Sequence, residues 1–519
     1  MAPDRGLRRI GDGTVLVGGS PIRLLRLTPA GRDLVARLTA GEPVPPTAAA
    51  QSLTRRLLDA GLAHPRPPAP TSPPEVAVVI PVRDDPTGLA ATLAAVAREG
   101  GAPEPTSTGR AAEIQPAPNV VVVDDASSEP GLLIAGCAAP GTALIRRRTC
   151  GGPGVARNDG WRSTAGEFVA FVDANCEPEP GWLEVLLPQF ADPQVAAAAP
   201  RIVPAAGPAA PRWLAAYEAV SSPLDLGARE AIVRPRSPVA YVPTAALVVR
   251  RTALEALGGF DETLTVGEDV DFVWRLVAAG WTVRYEPRAT VRHPIRPRWK
   301  AWLAQRYRYG TSAAPLARRH GSAVAPVAVS PWTAAAWTLV AAGQPVLGAA
   351  AAGYSVAALT GRLSHRCAAV PYPDAVRHPA PNAGQRRGGE APTLPLGEAL
   401  RLGGLGHLRG GLALARAVRR AWAPAAVLLA VASRRSRPAL AAAVVVPGLL
   451  EWLQQRPRLD PARFLALRLA DEFAYAAGVW AGCARERSVR ALSPDLRSAR
   501  RPPVGQTDEP LSGSIGGRG

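Results

Sequence analysis

At 519 residues the chain is too long for one ordinary domain, and its net charge of +18 suits anionic partners: phosphates, a nucleotide sugar or an acidic membrane leaflet. Five scattered cysteines with no CxxC pair argue against a zinc site or a disulfide framework and suit a reducing cytoplasm. Lys300 is the only lysine, and no basic-aromatic module accompanies the arginines, so nucleic acid is not an expected partner.

The opening "MAPDRGLRRIGDGTV" has no apolar core after its charges, so no signal peptide is expected and the catalytic portion should stay in the cytoplasm. Residues 1–64 read as a small unit. "TVLVGGSPIRLLRLTPAGRDLVARL" is a strand, a turn, a second strand and a helix begun at Thr28-Pro29, with Thr28 as N-cap and proline in the first turn. "AAAQSLTRRLLDAGLA" is a second amphipathic helix, and the proline-rich stretch 65–75 is a linker.

From Val76 short aliphatic strands alternate with helices: "VAVVIPV", a helix over 87–99, "NVVVVDDAS", "ALIRRR", a helix near 153–164, and "EFVAFVD". Residues 100–118 read as a loop insertion. Continuous Val/Ile runs between helices indicate strands buried on both faces, hence an α/β fold with a doubly wound, mostly parallel sheet over 76–325. Ligands of such sheets sit at the carboxyl ends of strands, where Asp124, Asp125 and Asp173 fall.

Residues 326–490 are apolar and helical. The stretch 332–361 carries no charge and is long enough to cross a bilayer, which needs about 20 residues. Two shorter apolar runs, 421–433 and 438–450, follow, and "FLALRLADEFAYAAGVWAGCA" carries Arg468, Asp471 and Glu472. Two readings are open: a soluble helical bundle, or a membrane-associated region with arginines on the cytoplasmic side. Residues 491–519 are expected to be a disordered tail.

Several residues are candidates for chemistry. Asp124 and Asp125 end a strand, where a carboxylate can accept hydrogen bonds from a uracil imide or ribose hydroxyls, or cap the next turn. In "TCGGPGVARNDGW", the glycines around Gly152 let the backbone approach a ligand. The helix beginning at Pro153 presents free N–H groups to an anion, with Arg157 one turn in; a purely structural turn is the other reading. Asp173 offers hard oxygen to a divalent metal on a diphosphate. Glu268 and Asp269 stand before an amphipathic helix, either as caps or, for a carboxylate, as the general base for an acceptor hydroxyl.

Taken in order, "VAVVIPVRDD", "VVVVDDASS", "GGPGVARNDG", "GEFVAFVDANCEP" and "GEDVDFVWRL" resemble the successive motifs of the inverting glycosyltransferases of family 2, with the GT-A fold. "QRYRY" resembles a relaxed Gln-x-x-Arg-Trp acceptor motif with Gln305, Arg308 and, in place of tryptophan, Tyr309. The small N-terminal unit, the linker and the apolar region are similar to the glycosyltransferases of mycofactocin biosynthesis. That resemblance implies β-linked glucosylation of a peptide-derived redox cofactor from UDP-glucose, and the opening without a signal peptide and the arginine-flanked apolar region put the expected place of action at the cytoplasmic face of the cell membrane. It also likens the N-terminal unit to winged-helix-like peptide-recognition domains; a packing appendage is the alternative.

The resemblance assigns Asp269 as general base and Glu268 and Trp274 to the acceptor side. Asp124, Asp125, Gly152, Arg157 and Asp173 fall to the donor. Asn175 departs from the family's Asp-x-Asp pattern. With Asp173, and His293 as either a third ligand or a surface histidine, it implies a Mg2+ or Mn2+ site that is weak but usable, because an amide lends a dipole and no charge. The alternatives are a membrane-tethered peptide- or cofactor-binding scaffold without catalysis, and a family 2 transferase for a polysaccharide or lipid acceptor.

Overall fold

A computed structural model describes residues 1–72, 74–100, 119–136, 141–365 and 395–496. The insertion read over 100–118 lies outside these residues except for Gly100, as does the tail from 497 onward. Two compact units are present: Met1–Val324 with Gly448–Ala491, and Ala325–Pro447 with the residues from Leu492 on.

The first unit opens with β1 (Ala2–Pro3), β2 (Arg8–Ile10), β3 (Val15–Gly18) and β4 (Arg23–Arg26), then α1 (Pro29–Thr39), α2 (Ala48–Asp59) and β5 (Ala63–His64). Strands β2, β3 and β4 form an antiparallel sheet, and β1 pairs with β5. Thr28 caps α1 by accepting the Gly31 N–H at 3.1 Å, with Pro29 at the first helical position. The amphipathic pattern then buries Leu16, Val35, Leu38, Leu57 and Leu62.

The central sheet follows: β6 (Val76–Val82), α3 (Pro86–Ala97), β7 (Asn119–Asp124), α4 (Pro130–Gly136), β8 (Thr142–Arg146), α5 (Pro153–Arg162), β9 (Phe168–Val172), β10 (Glu177–Pro178) and α6 (Trp182–Leu186). Next come β11 (Val195–Ala205), α7 (Arg212–Ser221), β12 (Ala231–Ile232), β13 (Ala246–Arg250), α8 (Arg251–Leu257), α9 (Glu268–Ala278) and β14 (Thr282–Pro294). The strand order is β10-β14-β11-β13-β9-β6-β7-β8, with β12 beside β14. The half from β9 through β6 and β7 to β8 is parallel, as the aliphatic runs indicated. The other half is mixed: β13 runs antiparallel to both neighbours, β11 and β14 are parallel, and β10 and β12 pair antiparallel with β14. A run such as "ALVVR" buries both faces whichever way it points, so periodicity carries no direction.

Helices α10 (Trp299–Thr311), α11 (Ala313–His320) and α17 (Pro461–Arg485) complete this unit. The sequence reading placed residues up to 490 in the apolar C-terminal region; residues 448–491 belong instead with the sheet. The reason is a close helix crossing. A Cβ on Gly310 would strike the Tyr475 carbonyl, and one on Gly478 the Tyr307 carbonyl, so only glycine lets these backbones meet. The charges of α17 also find partners there: Arg306 of α10 lies between Glu218 and Asp471, Tyr217 donates to Asp471 at 2.9 Å, and Arg468 pairs with Glu451 at 3.0 Å.

The second unit contains α12 (Pro331–Ala341), α13 (Pro345–His365), α14 (Leu396–Arg420), α15 (Ala423–Ala432) and most of α16 (Arg437–Gln455). The charge-free stretch 332–361 is therefore two helices, interrupted before Pro345, which cannot donate its backbone to an ongoing helix. Glycines of α14 admit the neighbouring helices: a Cβ on Gly403 would meet Val356 and one on Gly410 would meet Thr333. One helix among the described residues, 434–455, is long and apolar enough to cross a membrane, with a mean hydropathy of 1.2 and 17% of its window buried.

Candidate active site

Strand ends β6, β7 and β9 and the first turns of α5 and α9 converge at one edge of the sheet. The loops after β6 and β7 are clamped together: Asp84, in the left-handed region at φ 53°, accepts the backbone N–H and hydroxyl of Ser128, each at 2.8 Å. Asp124 is buried and accepts the Ser127 N–H at 2.9 Å, which makes it the cap of its own turn.

Asp125 does something the sequence did not disclose. Its carboxylate accepts the N–H groups of Gly151 at 2.8 Å and Gly152 at 2.7 Å, and the Cys150 thiol at 3.2 Å, with Arg147 Nε 3.0 Å away. The N–H groups of Gly151 and of the N-cap Gly152, just ahead of the helix expected to receive a ligand anion, are thus occupied by a carboxylate of the chain itself. Gly152 has φ 88°, which suits glycine, and it leads into Pro153 at the start of α5.

Arg157, one turn into α5, is 3% exposed and joins two elements. It donates to Asp173 at 2.7 Å, at the end of β9, and to Glu268 at 2.8 Å, at the start of α9. Burial would drive off its proton, but the Asp173 and Glu268 charges outweigh that and hold the guanidinium charged. The two helix starts lie close together at Gly154, where a Cβ would meet Glu268 Cγ at 3.7 Å, an ordinary contact distance that does not demand glycine.

Asp269 is half-buried beside this bridge and accepts its hydrogen bond from the Val270 N–H. Burial, and then the neighbouring Glu268 charge, push its carboxyl up to about 7. His293, near the end of β14, is half-buried; burial pushes its imidazole down, against the charge of nearby Asp173. Burial likewise raises the Tyr309 phenol to about 12, against Arg306 and with Asp269 and Asp173 adding to the rise. Gln305 donates to the Tyr309 hydroxyl at 3.0 Å, and His293, Gln305 and Tyr309 line one small cavity.

The structure thus gathers Arg157, Asp173, Glu268, Asp269, His293, Gln305 and Tyr309, with Asp125 and Gly152 on the adjoining loop. Two expected acceptor residues stand apart. Trp274 is 7% exposed in the core, donates to the Ala240 carbonyl at 2.7 Å and meets His320 edge-on. Arg308 is exposed, while Arg306 is the arginine of α10 that turns inward. Asn175 is half-buried, with Cys176 Sγ 3.8 Å from its Oδ1. Among the described residues no three His, Cys, Asp or Glu side chains converge as a metal centre.

Comparison with known proteins adds ancestry to this geometry. Residues 77–258 match the family model "Glycosyl transferase family 2", and 168–372 match "Glycosyl transferase family group 2". The pre-mycofactocin glycosyltransferases of two Mycobacterium tuberculosis strains, CDC 1551 / Oshkosh and H37Rv, are each 39% identical over 511 residues, covering 95% of this chain and 97% of theirs. The succinoglycan biosynthesis protein ExoM of Rhizobium meliloti is 32% identical over 157 residues, 29% of this chain and 48% of that one. A solved structure of a Pyrobaculum calidifontis mannosyltransferase, in complex with GDP-Man and Mn2+, covers 86% of this chain and 97% of its own at 20% identity and a TM-score of 0.40. With near-complete coverage at 39% identity and two family models across the sheet, the chain belongs to the family 2 glycosyltransferases, within the pre-mycofactocin glycosyltransferase family.

Proposed function

We propose that the chain is an inverting glucosyltransferase that carries glucose from UDP-glucose onto the peptide-derived redox cofactor mycofactocin, adding glucose units in succession. The observation that carries this reading is Asp269, a carboxyl pushed up to about 7 beside the Arg157 bridge between Asp173 and Glu268. A general base works best when its pKa lies near the operating pH. In a single displacement Asp269 takes the proton of the acceptor hydroxyl, and that oxygen forms a bond to the anomeric carbon. The bond from that carbon to the diphosphate oxygen breaks, and its electron pair leaves with UDP. Attack opposite the leaving group inverts the anomeric configuration.

Asp173, Asn175 and His293 would hold a divalent cation. They offer one carboxylate, one amide oxygen and an imidazole kept neutral by burial. So few protein ligands fit Mg2+ or Mn2+, which usually keeps one or two carboxylates and completes its shell with substrate phosphates and water. When bound, the cation neutralises charge on the leaving diphosphate. Arg157 fixes the orientation of Asp173 and Glu268, and Gln305 fixes that of Tyr309.

Placement at the cytoplasmic face of the membrane is supported by the apolar helix 434–455 and by exposed Leu428, Val431, Val446 and Leu453. A second reading, a binding scaffold without catalysis, is favoured by Asn175 where the family has a second carboxylate.

One experiment separates the two. The purified chain is incubated with UDP-glucose, or with other UDP- and GDP-sugars, and the peptide-derived acceptor, and products are weighed by mass spectrometry. One or more hexose additions from UDP-glucose are expected, reduced about 10²–10⁴-fold by Asp269→Asn with donor binding retained. Hexose transfer from a GDP-sugar alone overturns the donor assignment, and absence of transfer with intact acceptor binding establishes the scaffold.

A further inference from the structure

A cavity of about 570 Å³ lies between the small N-terminal subdomain and the sheet, lined by Arg55 and Asp59 of α2, Ile232 and Arg234 at β12, and Trp281 and Thr282 where β14 begins. That is the volume of a small-molecule site. It is separate from the centre described above: β14 runs from this cavity to His293, and an extended strand of that length spans roughly 30 Å.

The charges around it do not cancel. Arg55 is satisfied by Asp59 at 2.7 Å and by Asp192 at 2.6 Å, and Glu230 is taken by Arg66 at 2.6 Å. Arg284 follows Thr282 by two residues and so shares its face of β14. It is 4% exposed, and its Nε has no hydrogen-bond partner. Burial pushes its guanidinium down to about 10, with Asp192 opposing and Arg55 adding to the fall. Arg234 is likewise pushed down, by burial and then by the charge of Arg23. Arg234 is half-buried in the cavity lining, and Arg284 is buried two residues beyond the lining residue Thr282. A buried guanidinium with an unpartnered Nε is costly, and with Arg234 beside the cavity it asks for a counter-charge from outside the chain.

We propose that this cavity is a second binding site, which takes a small molecule bearing a phosphate or carboxylate group whose charge compensates Arg234 and Arg284. Its apolar portion rests on Trp281 and Ile232. Because Arg55 and Asp59 belong to α2, the ligand ties the N-terminal subdomain to β12 and β14.

The test is thermal unfolding of the full chain titrated with sodium pyrophosphate and, separately, with sodium citrate, each against sodium chloride at equal ionic strength. A saturable rise in Tm beyond that of chloride is expected; the anion giving the larger rise assigns phosphate or carboxylate as the recognised group. Arg234→Ala should weaken the midpoint at least about tenfold, the effect expected of losing one charge-assisted contact. Arg284→Met should abolish the rise and, without ligand, melt above the parent, because the unpaired buried charge is gone. A purely structural arginine would melt lower when replaced. The proposal fails if neither anion exceeds chloride, or if the rise keeps its midpoint in Arg234→Ala, since an anion held at the strand ends is indifferent to that side chain.

Discussion

At the scale of single residues, the environment of Asp269 has two measurable consequences. Its folded-state carboxyl is raised to about 7, so the ionised base is depleted about tenfold for each pH unit below that value. The kcat/KM of transfer should therefore climb with pH through an apparent pKa near 7. The same shift acts on stability in the opposite sense. A raised folded pKa contributes stability that is fully present below the ordinary carboxylate range and lost as pH rises through about 7. At about pH 8 the parent holds an ionised carboxylate beside Glu268, and Asp269→Asn should melt higher than the parent even as it stops transferring. A lower melting temperature for the variant at that pH would place the carboxylate in a favourable ion pair instead.

Asn175 belongs to the same scale. Asn175→Asp adds an anionic ligand next to Asp173, and hard dications prefer anionic oxygen. A manganese titration of transfer should show a lower half-saturating concentration for Asn175→Asp with little change in maximal rate, and severe loss for Asp173→Ala. An unchanged metal requirement in the first and full activity in the second would make this strand end purely structural.

At the scale of elements, the crossing of α10 and α17 is the most exacting contact. Gly478→Val would drive a side chain into the Tyr307 carbonyl. Overpacking of this kind costs on the order of 3 kcal/mol, so equilibrium unfolding should report a loss of that size, whereas Gly404→Ala, in open space, should be nearly silent. How much was legible in the sequence follows from the elements too. Strands β6, β7 and β9 and helices α5 and α9 could be read because aliphatic runs stop at acidic residues, and Asp173, Glu268 and Asp269 came with them. The antiparallel course of β13 could not, because burial on both faces erases direction. Trp274 is buried for a related reason: five positions after Asp269 on a helix is about 140° round the axis, toward the core. Arg306 and Arg308 differ by two positions, about 200°, and only the packing of α17 decides which one is buried. Glu472 pairs with Arg468 only four residues away, but Glu451, the other partner of Arg468, and Arg306 and Tyr217, the partners of Asp471, lie too far along the chain for local pattern to disclose them.

At the scale of the whole molecule, the full chain should sediment with membranes and need detergent for release. Arginine at both Val445 and Val446 of α16 should shift it toward the soluble fraction, since each charge at a span's centre costs about 2.5–3.5 kcal/mol. Equal partitioning of parent and variant would assign the helix to a soluble bundle. Truncation after Ser322 is not a route to a smaller active enzyme: it strips Trp302 and Arg306 of Phe464 and Asp471, and such a chain should aggregate. The late return of residues 448–491 also has a meaning for biogenesis. On the ribosome, the chain that has emerged through Val324 still lacks the helix that seals α7 and α10, and the intervening stretch to Gly448 takes on the order of 10 s to translate at bacterial speeds. During that interval Tyr217, Trp302 and Arg306 stand open to chaperones, and stalled nascent chains should become protease-resistant only once Arg485 has cleared the exit tunnel. The order of synthesis thereby keeps the transferase unfinished until the whole apolar excursion has been made, so no enzyme complete enough to act exists before those apolar helices have left the ribosome.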